Sequence, residues 1–189
     1  MAHRVDFGTA GEKRIMSVSA VRAAVLAMAM LGVGACATSE NPNRSLVIAS
    51  LEARSGSAVG GQLRISRNGK KIHLRATVTG LEPGSEHGFH IHDKGDCSAP
   101  DAASAGGHFN PGGSAHGRFG DAVHHGGDLP SLRADAKGVA RADVDLSALQ
   151  WEGAQGIKGR AIIVHGKPDD FTTQPSGNAG PRVACAVIG

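Results

Sequence analysis

Apolar and polar residues alternate with a period of two in several short stretches of this chain, the pattern of strands that bury one face. "SLVIASLEAR", residues 45–54, alternates in part. "GGQLRISRNGKKIHLRATVTGL" alternates on both sides of Asn68-Gly69, a strong hairpin signal. "EPGS" reads as a turn, and "EHGFHIH" as the next strand. "LRADAKGVARADVDL" repeats the hairpin pattern around Ala136-Lys137-Gly138. "GRAIIVHG" is an apolar strand, and "RVACAVIG" closes the chain as another. No internal repeat and no coiled-coil heptad interrupts this series.

Two long stretches break the alternation, residues 94–130 and 166–181. Long loops without secondary structure of their own are uncommon in compact domains and are usually functional. The length of 189 residues favours one domain, and 28 glycines, 3% aromatics and no tyrosine suit strands and tight turns better than long helices. The expectation is an all-β sandwich or barrel carrying two large loops.

The first 35 residues differ from the rest. All four methionines (Met1, Met16, Met28, Met30) lie there, and Arg14 and Arg22 lead into the apolar run "AAVLAMAMLGVGA". That run is too short to span a bilayer comfortably and has the plan of a secretory signal. "VGAC", ending at Cys36, resembles a bacterial lipobox, in which the cysteine is lipidated and becomes the new N-terminus. Met16 is an alternative start, since a complete signal follows it. Cleavage near Ala35 or Ala37 without lipid is the other reading. The expected organisation is a signal peptide at 1–35, a lipidated tether at 36–44 and one domain at 45–189. The location is then the bacterial envelope: the periplasm, with a lipid anchor in the outer membrane because Ala37 rather than an aspartate follows the cysteine.

Without residues 1–35 the chain has sixteen Lys and Arg against fifteen Asp and Glu, so its basic character comes partly from the leader. No lysine-rich stripe with interleaved aromatics is present, which argues against nucleic-acid binding. With Cys36 assigned to lipid, Cys97 and Cys185 remain. In an oxidising compartment such a pair is expected to form a disulfide, buried free thiols or metal ligands being the alternatives.

Histidine carries the candidate chemistry. His90 and His92 in "GFHIH" project to the same face of a strand, and Ile91 to the other. His108, His116, His124, His125 and Asp128 crowd the first long stretch, and His165 ends "AIIVH". Four imidazoles suit copper, and three with a carboxylate suit zinc. A solvated histidine-rich loop or a low-affinity metal buffer would match the density of histidines, though not their ordered spacing.

"GFHIH", "GGHFNP", a histidine eight residues beyond, "HGGDLP", "IIVHGKPDD" and "GNAGPRVACAVIG" together resemble the copper,zinc superoxide dismutase family in its bacterial exported form. The similarity runs from about Ser45 to Gly189. It implies an eight-stranded Greek-key β-barrel or sandwich with two long functional loops. It implies copper on His90, His92, His108 and His165, and zinc on His108, His116, His125 and Asp128, with His108 as an imidazolate bridge. Asp169 matches the carboxylate that links a ligand of each metal, Arg182 the arginine beside the copper, and Cys97 with Cys185 the family disulfide. The implied reaction is dismutation of superoxide at a copper that cycles between two oxidation states, with His108 taking up and returning a proton. The resemblance admits monomer or homodimer. His124 is expected to be a loop residue, His87 a packing residue and His73 solvent-facing, while His3 lies in the leader. The competing expectations are a periplasmic metal buffer or metal-transfer protein and a structural sandwich domain. Arg182 argues against the first, and the full ligand set against the second.

Overall fold

The computed structural model describes residues 44–189. The readings placed on His3, Met16, Cys36 and most of the tether lie outside them. Nine strands follow one another: β1 (Arg44–Ala53), β2 (Gly60–Asn68), β3 (Lys71–Thr79), β4 (Glu86–His87), β5 (Phe89–His92), β6 (Leu132–Arg133), β7 (Ala140–Asp145), β8 (Ala161–His165) and β9 (Arg182–Val187). Among the described residues the only helical element is the 3-10 turn Ala103–Ala105, and no helix is long and apolar enough to cross a membrane.

The alternation in β2 and β3 has its cause in register. Leu63 pairs with Ala76 and Ile65 with Leu74, and these four side chains are buried. Their neighbours Arg64 and Arg75 face out. The hairpin loop falls one residue later than the Asn-Gly signal suggests: Asn68 still pairs with Lys71, and Gly69, at φ 61°, opens the two-residue loop. Glycine in that first position accepts the positive φ that a tight hairpin requires.

One antiparallel sheet runs β5-β8-β9-β1-β2-β3-β7. It curls and closes, because β6 pairs with β4 while the bridge Ala134–Ala140 ties β6 to β7. β4 and β5 are one course of chain broken at Gly88, so the barrel has eight courses, as the sequence suggests. The break has a reason: a Cβ at Gly88 would stand 2.8 Å from the Ala179 Cβ and 3.0 Å from His90 Cε1. Gly88 lets residues 166–181 lie against the barrel, and its N–H donates to the Lys167 carbonyl at 2.8 Å.

β5 and β8 are buried along their whole length. Phe89, Ile91, Ile162 and Val164 point into the main core. The opposite face carries His90, His92 and His165, with Ala161 and Ile163, and lies beneath the two long loops. Ala161 and Ile163 pack there with Ala102, Ala105 and Cys185, a second apolar cluster that fastens the start of the first loop. Burying an Ile such as Ile163 contributes about 1.5–3 kcal/mol. The Cys97–Cys185 disulfide, with Cα atoms 5.9 Å apart, ties the same loop to β9.

Candidate metal centre

The strands deliver three of the histidines. His90 and His92 leave β5 on one face, and register sets them opposite Ile163 and Ala161 of β8. His165 ends β8, and an irregularity between Val164 and His165 puts Arg182, not Val183, across from it. His108 and Asp128 come from the first loop through single bridges to β5, His108 with His92 and Asp128 with His90. His116 and His125 are held only by loop contacts.

The hydrogen bonds assign the ring protons. His92 Nδ1 donates to the Gly106 carbonyl at 2.9 Å and His165 Nδ1 to the Gly180 carbonyl at 3.3 Å. In a neutral ring each then has a lone pair on Nε2, and these two nitrogens face each other at 3.4 Å. His90 Nε2 donates to Asp169 Oδ2 at 2.7 Å, which leaves Nδ1 as the acceptor; that atom is buried and without a protein partner. His108 Nε2 is orphaned in the same way. Four inward nitrogens, from His90, His92, His108 and His165, thus form one group whose atoms lie within 4.8 Å of one another.

A second group of the same compactness comprises His108, His116, His125 and Asp128. His116 Nε2 donates to Asp169 Oδ1 at 2.9 Å, so its Nδ1 lone pair faces Asp128 Oδ1 at 3.0 Å. His125 Nδ1 stands 3.3 Å from His108 Nδ1 and 3.5 Å from Asp128 Oδ1. Acceptors turned on one another in a buried space call for a cation between them. Tetrahedral binding by three imidazoles and one carboxylate suits zinc, and the four-imidazole group suits copper.

Electrostatics agree. Burial, reinforced by the charge of neighbouring imidazoles, holds His90 and His92 well below the ordinary histidine value. Burial brings His165 down to about 4. Burial pushes the Asp128 carboxyl up, but hydrogen bonds from His108 and from the N–H groups of His125 and Gly117, with His116 nearby, outweigh it and bring it to about 2. At neutral pH the three rings are neutral and Asp128 is a carboxylate, the states a metal requires.

A cleft of about 380 Å³ opens on the first group, lined by His92, His108, His125, His165, Pro175, Ser176 and Arg182 among others. Arg182 is fixed there by two bonds, Nη1 to the Ala102 carbonyl and Nη2 to the Gly106 carbonyl, each 2.6 Å. All seven metal-type ligands read from the sequence converge, with Asp169 and Arg182 beside them. His124 stays outside and bonds the His125 carbonyl. His87 is buried between Ser85 and the His165 carbonyl. His73 is on the outer face of β3 between Asp143 and Asp145. The sequence did not point to Gly106, Gly180 or Gln174. The two glycines act through backbone carbonyls, and Gln174 reaches the zinc loop from 58 residues away.

The family described as copper/zinc superoxide dismutase matches residues 59–188. The chain is 38% identical over 138 residues to superoxide dismutase [Cu-Zn] 2 of Aquifex aeolicus, covering 68% of this chain and 78% of that protein. It is 38% identical over 135 residues to superoxide dismutase [Cu-Zn] of Caulobacter vibrioides, covering 68% and 77%. The crystal structure of a SOD-like protein from Bacillus subtilis superposes with a TM-score of 0.68 at 35% identity, over 77% of this chain and all of that one. Fold and donor set define a class first: a Greek-key β-barrel enzyme with a four-imidazole site and a closed His3-Asp site joined through one histidine. Within that class the chain belongs to the copper/zinc superoxide dismutase family. The first group is its copper site and the second its zinc site.

Proposed function

We propose that the protein dismutes superoxide to dioxygen and hydrogen peroxide in the bacterial envelope, attached to the outer membrane through a lipid on Cys36. The observation that carries the reaction is the sharing of His108 by two complete ligand sets beneath a cleft that holds Arg182. Copper held by His90, His92, His108 and His165 would supply the one-electron chemistry that the reaction needs.

The chain's own groups do the rest. Arg182 presents a planar cation to a small anion entering the cleft, and its two carbonyl partners hold the guanidinium fork still. Of the two metal-site imidazole nitrogens without a protein partner, His90 Nδ1 and His108 Nε2, only the second belongs to a residue lining the cleft. His108 Nε2 is therefore placed to hold a proton and pass it to the reduced product, while Nδ1 stays turned to the zinc ligands. His90 is locked by Asp169 and serves as a fixed ligand.

The envelope location rests on the leader and on "VGAC" at 33–36. Metal analysis of the purified protein, with superoxide consumption measured with and without a copper chelator, tests the function. One copper and one zinc per chain are expected, with activity lost on chelation. Full metal content without activity would instead make the protein a metal buffer.

A further inference from the structure

His116 sits in a stretch of the first loop that belongs to no strand, so no ladder satisfies its backbone. A side chain does so instead. Gln174 Oε1 accepts from the His116 N–H at 2.8 Å, and Gln174 Nε2 donates to the His116 carbonyl at 3.0 Å. This is the two-bond exchange of an antiparallel pair, made by one amide group. We propose that Gln174 is a positioning residue for the zinc site, the side chain that ties the backbone of a zinc ligand to the rim of the copper cleft.

The segment that carries Gln174 is itself firmly built. The Asp170 N–H donates to the Gly177 carbonyl at 2.9 Å and the Gly177 N–H to the Thr173 carbonyl at 2.7 Å. The Asp170 carboxylate accepts from the N–H groups of Thr172 and Thr173. The Arg118 guanidinium stacks over the Phe171 ring at 4.3 Å, a second tie to the first loop. Pro175 and Ser176, the residues that follow Gln174, line the cleft beside His108 and Arg182. A shift of the His116 backbone is therefore handed on to the rim within two residues.

Asp169 and Gln174 fix different things. Asp169 orients the His116 ring and also holds His90, so it serves both metals. Gln174 holds the His116 backbone and contacts no copper ligand except through the cleft rim. Its loss should therefore be selective. The inference rests on the two-metal reading, and the test separates the two.

The test measures zinc release to a chromophoric chelator and copper affinity by competition, in the full protein and in two variants. Gln174→Ala removes both bonds. Gln174→Glu keeps the acceptor but sets a carboxylate against the His116 carbonyl. Both should bind zinc about 10- to 100-fold more weakly and release it faster, the usual effect of losing a group that orients a ligand, with copper affinity unchanged. Hydrogen exchange gives the second readout. In the parent, removing zinc should speed exchange across residues 171–178, whereas in Gln174→Ala that segment should exchange fast with zinc bound. Unchanged zinc release, equal weakening of both metals, or exchange at 171–178 indifferent to zinc would each overturn the role of Gln174. A parent that takes up copper but no zinc would overturn the two-metal reading and this inference together.

Discussion

His92 and Arg182 share one acceptor. The Gly106 carbonyl takes His92 Nδ1–H at 2.9 Å and Arg182 Nη2–H at 2.6 Å, so a metal ligand and the cation of the cleft are positioned from one atom. Gly106 has φ 74° and ψ −155°, a conformation open essentially to glycine alone. A side chain there would disturb the ligand and the guide together.

A parallel link joins the metals. Asp169 accepts from His90 at 2.7 Å and from His116 at 2.9 Å, one oxygen for each. Asp169→Asn keeps the shape but turns one acceptor into an amide that must face an imidazole N–H. Both metals should bind about 10- to 100-fold more weakly, although Asp169 touches neither. Competition titrations with separate copper and zinc chelators check this, and weakening of one metal alone would contradict the link.

The metal-free protein should lose stability as pH falls. Burial depresses His165 to about 4 from the ordinary 6.5, so between these values the unfolded chain binds a proton that the folded one refuses. Stability then rises with pH across that window and is lost as pH falls through it, by roughly 3 kcal/mol for this residue at its lower end. His90 and His92 shift the same way. Asp128, depressed to about 2, adds a further loss only below the ordinary carboxylate range. Calorimetry of chelator-stripped protein should show the melting temperature falling steadily below pH 6.5. A flat profile would show that the rings are not buried neutral.

Reduction of Cys97–Cys185 should loosen the copper side. The bond spans 88 residues, and loop-closure entropy for that length is about 4–5 kcal/mol, often less in practice. The loop it ties down carries the Ala102 and Gly106 carbonyls that hold Arg182. A lower melting temperature and a slower reaction are expected after reduction, read by scanning calorimetry and superoxide consumption in the presence of a reductant that leaves the metals bound.

Much of this was legible along the chain, for identifiable reasons. The alternation of β2 and β3 is visible because one face is buried and one is wet. The ligand residues are visible because histidines at fixed spacings are rare and specific. Three features were not. The division of β4 from β5 at Gly88 depends on Ala179, ninety-one residues further on. The irregularity between Val164 and His165 leaves no trace in an apolar run. Gln174 sits among small polar loop residues, and only the folded distance of 2.8 Å to the His116 N–H marks it.

Changing Cys36 to Ser should move the protein from the membrane fraction to the soluble periplasm and remove the mass of a lipid. Unchanged fractionation and mass would end the lipid-anchor proposal and leave ordinary cleavage in its place.

The sharpest expectation concerns Arg182. Beyond residue 35 the chain has sixteen basic and fifteen acidic residues, so its bulk charge cannot draw an anion in. Attraction must come from charge focused through the cleft, an effect of about 10- to 1,000-fold on association, for which superoxide dismutases are themselves a documented case. Arg182→Lys keeps the charge but loses the fork that spans Ala102 and Gly106, so part of the rate should survive. Arg182→Ile removes both, and Arg182→Glu adds repulsion. The expected order of rates is Arg, Lys, Ile, Glu, with the Ile variant slower by at least about 10-fold and copper content unchanged, because the His92 bond to Gly106 remains. Added salt should slow the parent and speed the Glu variant, since it screens attraction and repulsion alike. An Ile variant as fast as the parent, fully loaded with copper and still sensitive to salt, would place the guiding charge elsewhere. Lys167 would be tested next: its side chain lies over Gly180, whose carbonyl holds His165.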